Sequence, residues 1–370
     1  MITQMTRLMD CEYPIFAFSH CRDVVAAVTN AGGYGVFGAT GRSAGDVDHD
    51  LSWLDRNTRG TYGIDLLLPQ KLGVPGSVGP LPPPPPEHVE FLDAMLLRYG
   101  VPPLPEDDAR ALRGSQRENQ MMADAVEIWD IAGEHNVSMY VSALGAPPPD
   151  LIEQAHARGG VVGGLVGAAP HAKRQLQAAV DFVVAQGTEA GGHCGEIATM
   201  VLVPDIVDIM GDVPVLAAGG IATGRQMAAA IALGAAGVWT GSVWLTTHEA
   251  ETDPAVQRKF LAASASDTIR SRSSTGKPAR QLQSAWTSEW EDPRNPDPLG
   301  MPMHGALIRE AKTRIRRGSH VPGSGSEALA NYFVGQVVGR LTAITSCKQV
   351  VESMVGEYID VMDRLEAINR

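Results

Sequence analysis

The sequence predicts an α/β fold, a (β/α)8 TIM barrel with a smaller second domain near the C-terminus. Two observations carry this. Eight short apolar runs drawing on Val, Ile and Phe recur along the chain, most followed by Gly or Pro and then a helical stretch. The runs are nearly continuous in apolar residues rather than alternating, as parallel strands buried on both faces require. Right-handed βαβ units of that number close into a barrel. An open doubly wound sheet would usually carry GxGxxG after its first strand, and none follows PIFAF.

The strand candidates are 14–18, 34–38, 62–68, 138–144, 160–166, 181–187, 214–220 and 237–243. Helical patterns fit between them: RDVVAAVTNAGG (22–33) stops at Gly32, PDLIEQAHARGG (149–160) at Gly159, and GRQMAAAIALGA (224–235) at Gly234. The barrel then occupies 1–250, interrupted by a proline-rich excursion at 69–120 after the third strand. Five consecutive prolines favour a stiff polyproline II spacer, and the amphipathic VEFLDAMLLRYG follows them. The excursion falls at the rim where barrel active sites form, so it reads as a lid or a subunit contact, with an inert surface loop as the alternative. Its mixed-charge EDDARALRGSQRE reads as a solvated face. Residues 251–330 form a smaller, irregular substrate or lid domain. Two helices, ALANYFVGQVVGRLTAI and KQVVESMVGEYIDVMDRLEAI, return to the barrel over 331–370.

A formal charge of −12 argues against a nucleic-acid or anionic-membrane surface, since both need clustered cations. The N-terminus MITQMTRLMDCEYP has no apolar core of signal-peptide length, and no run reaches the ~20 apolar residues of a membrane span. Cys11, Cys21, Cys194 and Cys347 are scattered without a CxxC pair. A cytoplasmic protein with free thiols, a small-molecule substrate and a homodimer as the candidate assembly is the plain reading.

Two glycine-bearing strand ends carry the chemistry. PVLAAGGIATG ends its strand in Gly219–Gly220, and GVWTGS ends the next in Gly241–Ser242. In a barrel these are the seventh and eighth strands, whose loops commonly hold a phosphate. Glycine lets backbone N–H groups point at phosphate oxygens, and Ser242 adds a hydroxyl donor. The bland alternative is that these glycines only permit tight turns. AQGTEAGGHCGE (185–196) sets His193 among glycines at the end of the sixth strand, where an imidazole with a pKa near ~6.5 can take and return a proton. His20 sits on the same rim and is a candidate pocket residue. A metal site from His20–Cys21 and His193–Cys194 is disfavoured, because neighbouring side chains on an extended chain point to opposite sides. Lys277 and Arg280 in TGKPAR could meet an anionic substrate tail, and a plain turn is the alternative. Trp239 and Trp244 flank the last strand and read as core.

VVAQGTEAGGHCG followed by PVLAAGGIATGRQMAAAIALGAAGVWTGS resembles the FMN-dependent nitronate monooxygenases, a superfamily that includes flavin-dependent enoyl-thioester reductases. The resemblance is specific over about 181–245 and extends to YPIFAFSHCRDVVAAVTNAGGYGVFGA, YGIDLLL, TGKPAR and YFVGQVVG. It implies an FMN-binding barrel in which Gln186 and Gly191 touch the flavin beside its ring. Ala218, Gly219, Gly220, Gly241 and Ser242 would cradle its phosphate, and His193 would remove a proton alpha to a nitro group. Asp65 falls where the family usually has an asparagine contacting the flavin. Ala17, Phe18 and Ser19 replace the usual QAPM turn of the first strand, and Gly163–Gly164 stand where a Lys or Gln often faces the flavin. These departures leave the phosphate reading intact and reshape the ring edge.

Three functions follow from this reading. The leading one is oxidation of alkyl nitronates, or a related carbanion-like substrate, by O2. The second is an NAD(P)H-dependent flavin reductase of an enoyl or other acyl thioester, favoured by the odd first-strand turn, the excursion and Lys277/Arg280. The third is a phosphate-ligand-binding barrel without flavin chemistry.

Overall fold

The computed structural model describes residues 1–68, 81–113 and 117–368. Eight parallel strands close into a barrel in sequence order: β1 (Ile15–Ser19), β2 (Tyr34–Gly38), β3 (Tyr62–Leu66), β4 (Val137–Ser142), β5 (Val161–Val166), β6 (Phe182–Gln186), β7 (Val215–Ala218) and β8 (Gly237–Thr240). The chain is a TIM barrel. Five of the strands, β3, β4, β6, β7 and β8, end one to three residues earlier than their apolar runs, because residues such as Leu67, Leu68 and the glycines after β7 already belong to loops.

Side chains alternate across each strand, so every strand feeds two cores. On β3, Tyr62, Ile64 and Leu66 join the outer layer beneath the helices. Gly63 and Asp65 therefore point inward. The interior is filled by Phe16, Tyr34, Val36, Met139, Val141, Phe182, Val184, Leu216 and Trp239. A Cβ on Gly163 would collide with the Phe182 ring across the register pair, so this glycine makes room for the aromatic that fills the barrel.

The N-terminal helix Gln4–Met9 stoppers one end. Met5 and Met9 pack into the interior cluster, and Thr3 Oγ1 donates to Ala236 O at 2.6 Å. With that end closed, a ligand can enter only at the C-terminal ends of the strands.

Above that end sits a smaller unit built on the antiparallel pair β9 (Thr268–Ser271) and β10 (Ala279–Leu282). The helix Ala285–Glu291 places Trp286 and Trp290 against it, with Trp286 Nε1 donating to Ser273 O at 3.0 Å. The described part of the excursion docks on this unit through the helix Pro86–Arg98. Phe91 meets Trp290 edge-on at 4.9 Å, His88 Nε2 donates to Asp297 O at 2.9 Å, and Tyr99 Oη donates to Glu289 at 3.1 Å. Residues 69–80 of the excursion lie outside the described residues, as do 114–116.

The two closing helices were expected over 328–344 and 348–368. The second forms as Cys347–Ile368 and packs on the barrel helices Gly224–Ala232 and Arg22–Asn30. The first does not form as one helix. Helix Ser326–Leu329 stops early and Gln336–Arg340 makes only a 3-10 turn. The segment bonds outward instead: Tyr332 O accepts from Leu282 N–H at 3.1 Å and Gln336 N–H donates to Glu189 O at 2.9 Å, a close approach that Gly335 permits because a Cβ there would lie 2.5 Å from that oxygen.

Candidate active site

The mouth of the barrel is lined by the inward-facing ends of the strands. Phe18 on β1 lies nearly parallel to Trp239 of β8, with centroids 6.1 Å apart. Gly38 of β2 pairs with Asp65 of β3, and Asp65 with Val141 of β4. Gln186 of β6 pairs with Ala218 of β7. Ala17 turns its methyl into the outer layer, so only its backbone borders the mouth. Ser19 spends its hydroxyl accepting from Cys21 N–H at 3.1 Å.

Beyond β7 the chain turns through two left-handed residues, Gly219 (φ 94°) and Gly220 (φ 70°). A Cβ on Gly219 would stand 2.9 Å from Gly187 O, so both conformation and space demand glycine. Gly241 follows β8, and Ser242 opens a short 3-10 turn. Among the described residues, the N–H groups of Gly219, Gly220, Gly241 and Ser242 donate no hydrogen bond within the chain, although all four are half-buried. Unpaired N–H groups at two adjacent strand ends suit a phosphate, which needs donors more than it needs formal cations. Ser242 Oγ accepts from Gly335 N–H at 2.8 Å, which leaves its own proton free to donate.

His193 projects from a loop held at several points. Thr188 N–H bonds Ile197 O at 2.8 Å across its base. The Glu189 carboxylate caps the helix Thr199–Met210, accepting from Thr199 N–H at 3.0 Å and its hydroxyl at 2.8 Å. Gly191 lies against Val334 and Gly335 with no room for a Cβ. Gly192 pairs antiparallel with Arg280 of β10, N–H to O at 2.9 Å and O to N–H at 2.7 Å. The same strand takes Tyr332 O on Leu282 N–H at 3.1 Å, which carries Phe333 to within 6.5 Å of the His193 ring. β10 thus positions both the imidazole and an aromatic wall.

His193 Nδ1 lies 3.0 Å from Pro278 O. A carbonyl only accepts, so Nδ1 carries the proton and Nε2 keeps its lone pair. Crowding by surrounding protein, with the positive charge of Lys277 adding to it, lowers the His193 pKa and keeps the ring neutral at pH ~7. His20 has the same arrangement: Nδ1 bonds Gly38 O at 2.7 Å, Phe18 meets its ring edge-on at 5.1 Å, and burial lowers its pKa. Both rings keep exposed surface while standing deep among protein atoms, as the walls of a recess do.

Lys277 is exposed beside His193, whereas Arg280 is buried. The Arg280 guanidinium donates to Thr188 O at 2.9 Å and Thr268 Oγ1 at 3.1 Å, fastening the base of the His193 loop to β9. The cysteines turn away from the mouth: Cys21 Sγ lies 3.1 Å from Glu249 O and Cys194 Sγ 3.4 Å from Thr188 O. Asp65 is 3 % exposed, and its carboxyl has no hydrogen-bond or ionic partner among the described residues. Burial alone pushes its pKa up to about 8. Phe333 and Glu189 were not anticipated; the adjacency of YFVG to a glycine-rich loop is visible only once β10 brings them together.

The family model for nitronate monooxygenase matches residues 3–357, nearly the whole chain and every element of the site. The chain belongs to the nitronate monooxygenase family. It is an enzyme, an FMN-type oxidoreductase of the nitronate monooxygenase kind. A protein of Mycobacterium tuberculosis named as a monooxygenase is 50% identical, with 100% of this chain and 99% of the relative covered. A Rhodococcus jostii protein named as a dehydrogenase of a hydroxy-methyl-oxo-octahydro-indene-carboxyl-CoA is 32% identical over 66% of this chain and 78% of its own. Among solved structures, a nitroalkane oxidase of Streptomyces ansochromogenes shares the fold at a TM-score of 0.77 and 23% identity, covering 98% and 99% of the two chains. Among the described residues no helix is long and apolar enough to cross a membrane.

Proposed function

We propose that this nitronate monooxygenase family member binds FMN at the C-terminal mouth of the barrel and oxidises alkyl nitronates, or a related carbanion-like substrate, with O2. The observation that carries the cofactor is the set of four unpaired N–H groups at Gly219, Gly220, Gly241 and Ser242. They fit a phosphate. Gln186, Gly191 and Asp65, with the β1 turn Ala17–Ser19, fit around the ring. The flavin, when bound, supplies an electron acceptor for a carbanion-like substrate and a route from there to O2.

The chain's own residues do the rest. Phe18 and Phe333 supply apolar walls that exclude water from the substrate. Lys277 draws in an anionic substrate, and its charge adds to the burial that disfavours protonation of the neighbouring imidazole. The Nε2 lone pair of His193 accepts a proton from carbon alpha to a nitro group, and His20 lines the opposite side of the recess. Arg280 is a positioning residue, because its guanidinium holds the loop that carries His193.

A nitronate is already deprotonated, so the base matters only for the neutral nitroalkane. Oxygen uptake by FMN-loaded protein on a neutral nitroalkane and on its nitronate tests this division of labour. A second reading, an NAD(P)H-dependent reductase of an acyl thioester, is supported by the acyl-CoA substrate named for the Rhodococcus relative and by exposed Lys277 at the rim.

A further inference from the structure

The Asp65 side chain is a buried carboxyl that no cation answers among the described residues. Its strand neighbours at the same level are Gly38, which has no side chain, and Val141, which is apolar. The space above Gly38 is filled by Phe18 and His20, whose atoms would lie 2.8 Å from a Cβ there. His20 directs Nδ1 at Gly38 O, not at Asp65. Arg42 stands behind His20, donating to its carbonyl at 2.8 Å and pairing with Asp50, which Arg22 also holds at 2.9 Å. On the other strands the interior positions near the mouth are Leu165, Gln186, Ala218 and Trp239, none of them charged. A carboxylate at this place would be a bare charge in an apolar wall, and such a group keeps its proton instead.

The imide edge of a flavin pyrimidine is an N–H donor flanked by two carbonyl acceptors. An ionised carboxylate offers two acceptors and meets those carbonyls with like charge. A neutral carboxylic acid offers one acceptor and one donor, the pattern a primary amide also presents. We propose that Asp65 acts as a neutral carboxylic acid toward that edge, its carbonyl oxygen accepting and its hydroxyl donating, so that holding the cofactor requires this proton. The inference rests on the FMN reading above. Its consequence is linkage: where the free protein loses the proton, binding must take one up, and affinity falls as pH rises.

The test is titration of the apoprotein with FMN, read as quenching of flavin fluorescence, from about pH 6.5 to about pH 9. For the wild type, Kd is flat at neutral pH and then weakens toward about tenfold per pH unit in the upper part of the range. Asp65→Asn binds within a few-fold of wild type at neutral pH and stays flat throughout. A flat wild-type profile, an identical slope in both proteins, or loss of binding by a folded Asp65→Asn protein overturns the proposal. Wild-type protein that binds no FMN at any pH overturns the flavin reading itself, and this inference with it.

Discussion

His193 Nδ1 and the carbonyl oxygen of Pro278 lie 3.0 Å apart, and that contact fixes which imidazole nitrogen is free to act. Because the carbonyl accepts a hydrogen bond from Nδ1–H, Nε2 keeps its lone pair. The partner comes from the small unit above the barrel, so the reactive tautomer depends on a segment remote in sequence.

Replacing His193 by Ala separates the two substrates. Turnover of a neutral nitroalkane falls about 10²- to 10⁴-fold, the usual worth of a positioned general base. Turnover of the corresponding nitronate changes by less than about tenfold, since no proton needs removing. Steady-state oxygen uptake on both substrates reads the difference, and equal losses on both would contradict the base assignment.

Burial of His193, with Lys277 adding to it, shapes the pH profile. The His193 pKa lies below its ordinary value, so nitroalkane turnover rises with pH through an inflection on the acid side of about 6.5 and is flat near neutrality. Removing a neighbouring positive charge favours the imidazolium. Lys277→Ala therefore moves the inflection upward, and it raises KM for an anionic nitronate more than it lowers kcat. A profile that does not move places the ammonium too far from the ring.

Gly219 tests the phosphate cradle. Alanine there must adopt φ 94° with its methyl 2.9 Å from Gly187 O. A strain of about 1–3 kcal/mol reorients the turn, so FMN affinity drops at least tenfold while the barrel still folds. Isothermal titration with FMN, alongside a thermal melt, separates lost binding from lost folding.

Asp65 also makes a stability prediction for the apoprotein. Its folded pKa of about 8 lies above the 3.8 of a free aspartate, so the folded state holds a proton that the unfolded state releases across that interval. Stability from this group is fully present below the lower value and is lost as pH rises toward the upper one. Asp65→Asn escapes that loss. Near neutral pH the variant gains about 1–4 kcal/mol over wild type, and the gain vanishes in acid. Urea unfolding at several pH values measures it.

The barrel was legible because buried parallel strands write themselves as apolar runs, and the eight runs matched the eight strands in order. The turn after β7 was legible for a similarly local reason, since Gly219 and Gly220 need conformations that other residues avoid. What β10 does was not legible. It is four residues long, and its Arg280 and Gln281 look like surface residues although both are buried. Their burial is compensated by distant partners: Thr188 O and Thr268 Oγ1 for Arg280, Ser274 and Asn331 for Gln281. The segment around Gly335 differs for the converse reason, because its apolar spacing suits a helix while its backbone bonds to distant partners, Leu282 N–H and Glu189 O. Asp65 was visible as a departure from an asparagine. Only its burial without a counterion gives the departure a chemical meaning.

The most direct measurement is an anaerobic titration of FMN-loaded protein with propionate 3-nitronate, NADH and NADPH in turn, following the flavin absorbance. The account predicts that the nitronate bleaches the flavin and that neither nicotinamide does so at a comparable rate. Rapid bleaching by NADH or NADPH, with the nitronate inert, would contradict it.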